Sequence, residues 1–208
     1  MKGAARRKDR AAAGRGFDFT GNMRCLCENI TRRTSELSHV DFSRVAVSFS
    51  QARKRASHGM HASLTPMRFE GGDISVQRGG RQWTCQRLYA PDTRREYLYI
   101  LSFYLPRFQD APFREKLVTI FHELWHVSPQ FNGDLRRHTG RCYAHGRSQA
   151  EFDKRCGELV DQWLAGDPPE QLYGFLRYNF QQLQDRYGQV YGLKIAAPKL
   201  IPLNAKAG

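Results

Sequence analysis

The stretch 118-VTIFHELWHVSP-129 decides how the rest of the chain is read. His122 and His126 stand four positions apart. In a helix that spacing leaves two side chains about 40° apart around the axis and about 6 Å along it, on one face. Glu123 is turned about 100° from His122. Upstream, Phe113, Leu117, Phe121 and Leu124 make an apolar stripe reinforced by Ile120, the mark of a helix that packs on a core. Asp110 is placed to cap this helix, and Pro112 to sit in its first turn. Pro129 drives Ser128 out of the α region, so the helix is expected to end near Val127. The two histidines lie beside the apolar stripe rather than within it, at the edge of a core where a cleft would open.

Two readings compete for this turn. The bland one is an ordinary helix with two incidental histidines. The chemical one is half of a metal site. Zinc takes nitrogen ligands at about 2.0–2.1 Å, and a catalytic zinc keeps one position open for water. Two imidazoles on one helical face can share one ion. Glu123 cannot easily ligate that ion, but it can reach a water there and act as general base. The H-E-x-x-H spacing favours the chemical reading. His39, His58 and His61 have no comparable context and read as solvated or turn histidines.

Working outward, 20-TGNMRCLCENITRRTSELS-38 spaces Met23, Leu26, Ile30 and Leu37 as a helix does, with Thr20 or Asn22 as cap. Val45, Val47 and Phe49 alternate in 44-RVAVSFS-50, which predicts a strand. A basic stretch with 70-EGGD-73 and 78-RGG-80 predicts short strands between turns. The aromatic and aliphatic run 96-EYLYILSFYLP-106 predicts a well-buried strand. After the polar loop 129-PQFNGDLRRHTGRCYAHGRS-148, a second helix is expected over 148–165, broken by Pro168 and Pro169. A third helix is expected over 169–187, then a short strand near 189–195 and a Pro-bearing tail.

The chain has 208 residues, enough for one domain with tails, and its core needs no disulfides. Residues 1–16 read as a disordered basic tail, 17–166 as a catalytic domain, and 167–208 as a C-terminal helix and strand packed on it. The start lacks the apolar segment of a secretory signal, and the apolar runs are too short to span a membrane. Five cysteines without a C-x-x-C pair argue against a zinc ribbon and suit reduced thiols in a cytoplasmic protein. The formal net charge of +13 favours polyanions, nucleic acid among them. No nucleic-acid-binding motif accompanies it, and the oligomeric state is open.

His122-Glu123-Leu124-Trp125-His126 resembles the active-site helix of zincin metallopeptidases. The longer run 122-HELWHVSPQFNGDLRRHTGRCYAHG-146 resembles a largely uncharacterised group of phage-type metallopeptidases. In that group H-E-L-x-H is followed by a proline, a Phe-x-Gly-x-Leu-Arg-like segment and a further histidine, matched here by Pro129, Phe131, Gly133, Leu135, Arg136 and His138. The resemblance is strong over about residues 96–165. It implies an α+β, zincin-like fold, with a small mixed sheet against the active-site helix and two C-terminal helices. It also implies one catalytic Zn2+ and hydrolysis of a protein or peptide substrate, as by a zinc metalloendopeptidase.

Three residues compete for the third ligand. His138 matches the group's later histidine. His145 precedes a helix in 145-HG-146, much as in SprT-like proteases. Glu151 would be the gluzincin-style choice. A metzincin would need histidine at position 132, which is Asn132. The oxyanion could be held by the metal with Tyr143, or by Arg136 or Arg137. The strand in 96–104 could bind substrate by edge pairing, and Asp134 or Asp153 could orient a histidine. Two other functions fit the same residues: a zinc hydrolase of another bond, such as an amidase or deacylase, and a basic nucleic-acid-binding protein with a structural or vestigial metal site.

Overall fold

The computed structural model of the protein describes residues 16–51, 59–137 and 149–203. It is an α+β structure built around a three-stranded mixed sheet. Strands β2 (Val45–Gln51), β3 (Ala62–Pro66) and β6 (Tyr99–Leu105) lie in the order β2-β6-β3. β6 runs parallel to β2, pairing Val45 with Tyr99, and antiparallel to β3, pairing Leu64 with Leu101. Alternation along a strand sends successive side chains to opposite faces. Val45, Val47, Phe49, Tyr99, Leu101, Phe103 and Leu105 therefore share one face, and all are buried in the main core. Ser48, Ser50, Ser63, Ser102 and Tyr104 share the other, where the segment 195–198 lies against them.

The helices cover the apolar face. Helix α1 (Phe19–Arg33) buries Phe19, Met23, Leu26, Cys27 and Ile30 there. Its cap is Asp18, whose carboxylate accepts from the Gly21 N–H, rather than Thr20 or Asn22. An apolar contact set of Phe19, Phe49, Phe103 and Phe108 joins α1, the sheet and the short helix α2 (Arg107–Asp110). Helix α3 (Phe113–Trp125) packs beside β3, and α4 (Gln149–Ala165) packs on α3.

Asp110 does not cap α3; that position belongs to Pro112. The Asp110 carboxylate instead accepts from the Phe180 N–H at the start of α6 (Phe180–Tyr187). The helix expected over 169–187 is interrupted for a related reason. It forms as α5 (Glu170–Tyr173), a 3-10 turn at Gly174–Arg177, and α6. The carbonyls of Leu176 and Tyr178 turn inward to the ammonium of Lys116, and that of Phe175 to the Gln109 amide. A continuous helix would spend those carbonyls on its own backbone. Asn179 then restarts the helix with a reciprocal capping box to Gln182.

A second sheet joins two of the short strands expected between turns to a strand from the tail. Strands β4 (Ser75–Arg78), β5 (Arg81–Cys85) and β8 (Leu200–Leu203) form an antiparallel sheet in that order, so the Pro-bearing tail supplies a strand. β1 (Phe17–Asp18) pairs in parallel with β7 (Val190–Tyr191), tying the two ends of the chain together. The tail expected over 1–16 lies outside the described residues except for Gly16. Cys25, Cys27, Cys85 and Cys156 are free thiols. Among the described residues, no helix is long and apolar enough to cross a membrane.

Candidate functional site

Helix α3 turns its apolar residues, Leu117, Ile120, Phe121 and Leu124, into the core. That leaves His122 and His126 on its flank, where their rings stand 4.8 Å apart between centroids. The helix ends at Trp125, and His126 is its C-cap with right-handed helical backbone angles. His126 and Val127 donate to the carbonyls of Glu123 and Leu124, which tightens the last turn without rotating His126 off the face.

Glu123 is 9% exposed and lies between the histidines in sequence. Burial pushes its carboxyl up to about 7, opposed by the N–H of Leu64, which donates to it from β3. The origin of that N–H is the strand pairing. Met67 N–H donates to Leu98 and Tyr104 N–H donates to His61, so odd-numbered residues of β3 face β6. By alternation Ala62, Leu64 and Pro66 turn their backbone groups outward, toward α3. β3 is thus the sheet edge beside the helix. The run 96–104 is not: β6 is paired on both sides, so it has no edge to offer a peptide.

Between β3 and α3 lies a cleft of about 830 Å³. Met60, Leu64, Val118 and Leu135 give it an apolar wall, and His61, His122, Glu123 and His126 line it together. His61, in the bend that leads into β3, therefore lines the cleft. Nothing in its local sequence marks it; only the pairing of β3 brings it there. Arg114 also lines the cleft, held to Asp161.

The histidines are fixed from outside. Phe152 of α4 stacks on His126, at 16° and 5.6 Å between centroids, and meets His122 edge-on at 4.7 Å. Asp153 Oδ1 lies 3.4 Å from His122 Nδ1, within reach to fix that ring's tautomer. Asp134 has a different job. Its carboxylate accepts from Gly71 N–H, Leu135 N–H and the Arg137 guanidinium, which hold it below the usual carboxylate range. Arg136 and Arg137 are likewise engaged elsewhere. Arg136 stacks 4.4 Å over Trp125 and donates to its carbonyl, and Arg137 is bound to Asp134; neither lines the cleft.

The loop after α3 is built to return. Val127 bridges Leu135, and Arg136 N–H donates to the His126 carbonyl, so 134–136 runs back along 126–128. Phe131 packs on Tyr99, and Gly133 adopts φ +89°, where an added Cβ would stand 2.5 Å from Arg68 Cγ. The buried Tyr99 hydroxyl pins the loop, donating to the Asp134 carbonyl and accepting from Gly133 N–H. Tyr99→Phe leaves both backbone groups without that partner. It should cost about 1–3 kcal/mol in a denaturant titration, with faster amide exchange across 131–136.

That loop leads into 138–148, which holds His138, Tyr143 and His145 and lies outside the described residues. Glu151 is exposed in the first turn of α4. Among the described residues, no group of three His, Cys, Asp or Glu side chains is placed to hold one metal ion. The two imidazoles suit zinc in donor type and in sharing a face. Comparison of the chain with protein-family models, with curated proteins and with solved structures finds no match.

Proposed function

We propose that the protein is a zinc-dependent hydrolase that cleaves peptide bonds, with Glu123 as its general base. The observation that carries this reading is the meeting of His122, Glu123 and His126 at one cleft bordered by β3, which among the described residues pairs with another strand on one side only. His122, His126 and a donor from 138–148 would hold the ion. Zinc, when bound, supplies an acidified water and polarises a carbonyl.

The chain's own residues do the rest. Glu123 takes a proton from the attacking water as its oxygen bonds to the carbonyl carbon. It returns that proton to the amine nitrogen as the C–N bond breaks. Phe152 and Asp153 hold the two imidazoles in orientation. Ala62 and the Leu64 carbonyl offer outward backbone groups to an extended chain, the mode of recognition a sheet edge provides. Val118, Leu64 and Leu135 receive an apolar side chain beside the bond to be cut.

The test is metal content by elemental analysis of the purified wild type and of His122→Ala, His126→Ala, His138→Ala and His145→Ala. The wild type should carry near-stoichiometric zinc. It should be lost in the first two variants and in one of the last two. Wild type that remains metal-free after exposure to zinc overturns the reading.

A further inference from the structure

The second sheet stands apart from the cleft and has a chemistry of its own. The β4–β5 hairpin turns at Gly79 and Gly80, with φ of +57° and +74°, the left-handed pair a tight two-residue hairpin demands. An added Cβ at either glycine would meet nothing within 4 Å, so the tip projects into open space. Residues 77–82 are all exposed.

The register places Arg78 directly opposite Arg81, and Val76 opposite Trp83. By alternation these four side chains share one face of the hairpin. Like charges directly opposite each other destabilise a hairpin, so the arginine pair works against local folding. Among the described residues neither guanidinium has an ion-pair partner. No Asp or Glu occurs from Ile74 to Tyr89, nor in β8, while Lys199 adds positive charge at the base of the sheet, where Arg87 is paired with Glu96. Trp83 is half-buried, and its indole N–H donates to the Arg78 carbonyl, which fixes the ring beside the arginine pair. An acid-free strand pair with two unpaired arginines around a held indole is the arrangement that binds phosphates and stacks a base.

We propose that this sheet is a binding surface for single-stranded nucleic acid. Arg78 and Arg81 take phosphates, and Trp83 stacks on a base between them. The proposal is independent of the hydrolase reading, since none of these residues lines the cleft.

The test is fluorescence anisotropy of a labelled single-stranded oligonucleotide with the full chain, titrated over a range of salt. R78A/R81A should weaken binding at least about tenfold at low salt. It should also flatten the log–log salt dependence by about 1.4, since each single-strand phosphate contact contributes about 0.7. R78K/R81K keeps the charge and should retain most of the affinity. Trp83→Leu should lose about fivefold or more and Trp83→Phe much less, as base stacking requires. R32Q/R33Q removes two exposed arginines of α1 and should change little.

Absence of binding by the wild type at low salt overturns the proposal, and so does an R78A/R81A variant that behaves like R32Q/R33Q. Equal binding of duplex and single strand with no effect of Trp83→Leu overturns the single-strand assignment. Displacement by polyglutamate at the same charge concentration would show a surface for acidic polypeptide instead. Circular dichroism on each variant separates lost binding from lost fold.

Discussion

Glu123→Gln is expected to keep the wild-type zinc content and to lower hydrolysis of an unstructured protein substrate by about 10²–10⁴-fold, the usual contribution of a general base. The substitution preserves volume, and its amide oxygen still accepts the Leu64 N–H. What it removes is the ability to take a proton. Burial holds this carboxyl near 7, so at neutral pH the group exchanges a proton readily before any metal is considered. The check pairs elemental analysis with a cleavage assay read by mass spectrometry. Undiminished cleavage by the variant would remove Glu123 from the mechanism. Loss of zinc along with activity would make it a structural residue of the site.

The second large effect concerns Lys116, a lysine 2% exposed in the first turn of α3. Its ammonium donates to the Leu176 and Tyr178 carbonyls at 2.8 Å each, so it joins α3 to the C-terminal segment. Lys116→Ala removes a buried stem and strands the buried Leu176 carbonyl, while the Tyr178 carbonyl keeps the Gln109 amide. Together these should cost about 3 kcal/mol or more, a large share of a stability of about 5–15 kcal/mol. Lys116→Met keeps most of the stem and should cost less.

Burial lowers the folded pKa of Lys116 to about 8, against 10.5 in the open chain. Below pH 8 both states carry the proton and the folded state bears the full cost of the buried charge. As pH rises from 8 toward 10.5 the unfolded chain holds more protons than the folded one, so this group's contribution to stability rises. Urea titrations at pH 7 and 9.5 should show the wild type gaining on Lys116→Met. A constant gap would place the ammonium in a solvated site.

How much of this was legible in the sequence varies by element. The period of Phe113, Leu117, Ile120, Phe121 and Leu124 specified α3 and left His122, Glu123 and His126 on its flank, because a helix fixes which residues share a face. The continuous apolar run at 97–105 identified a buried strand, but a run apolar on both faces carries no information about which edge remains open. Asp110 illustrates another limit. A carboxylate near a helix start satisfies a cap rule, yet the N–H it serves belongs to Phe180, distant in sequence. The loop residues Phe131, Gly133 and Leu135 stood out only through the family resemblance of their segment. Their roles, packing on Tyr99, a left-handed turn and a cleft wall, depend on partners that resemblance does not name.

The sequence by itself determined the pair of imidazoles with a carboxylate between them, since four-residue spacing on a helix is local geometry. It also determined the excess of positive charge. Only the tertiary structure decided that β3 is the edge beside that helix and that its Leu64 N–H meets Glu123. The same holds for Phe152 and Asp153 of α4 bracing the histidines, and for Arg78, Arg81 and Trp83 sharing one face. Each of these depends on strand register or on the packing of segments far apart in the chain. Those are set by which apolar faces close most completely on one core, and no single stretch of residues carries that choice.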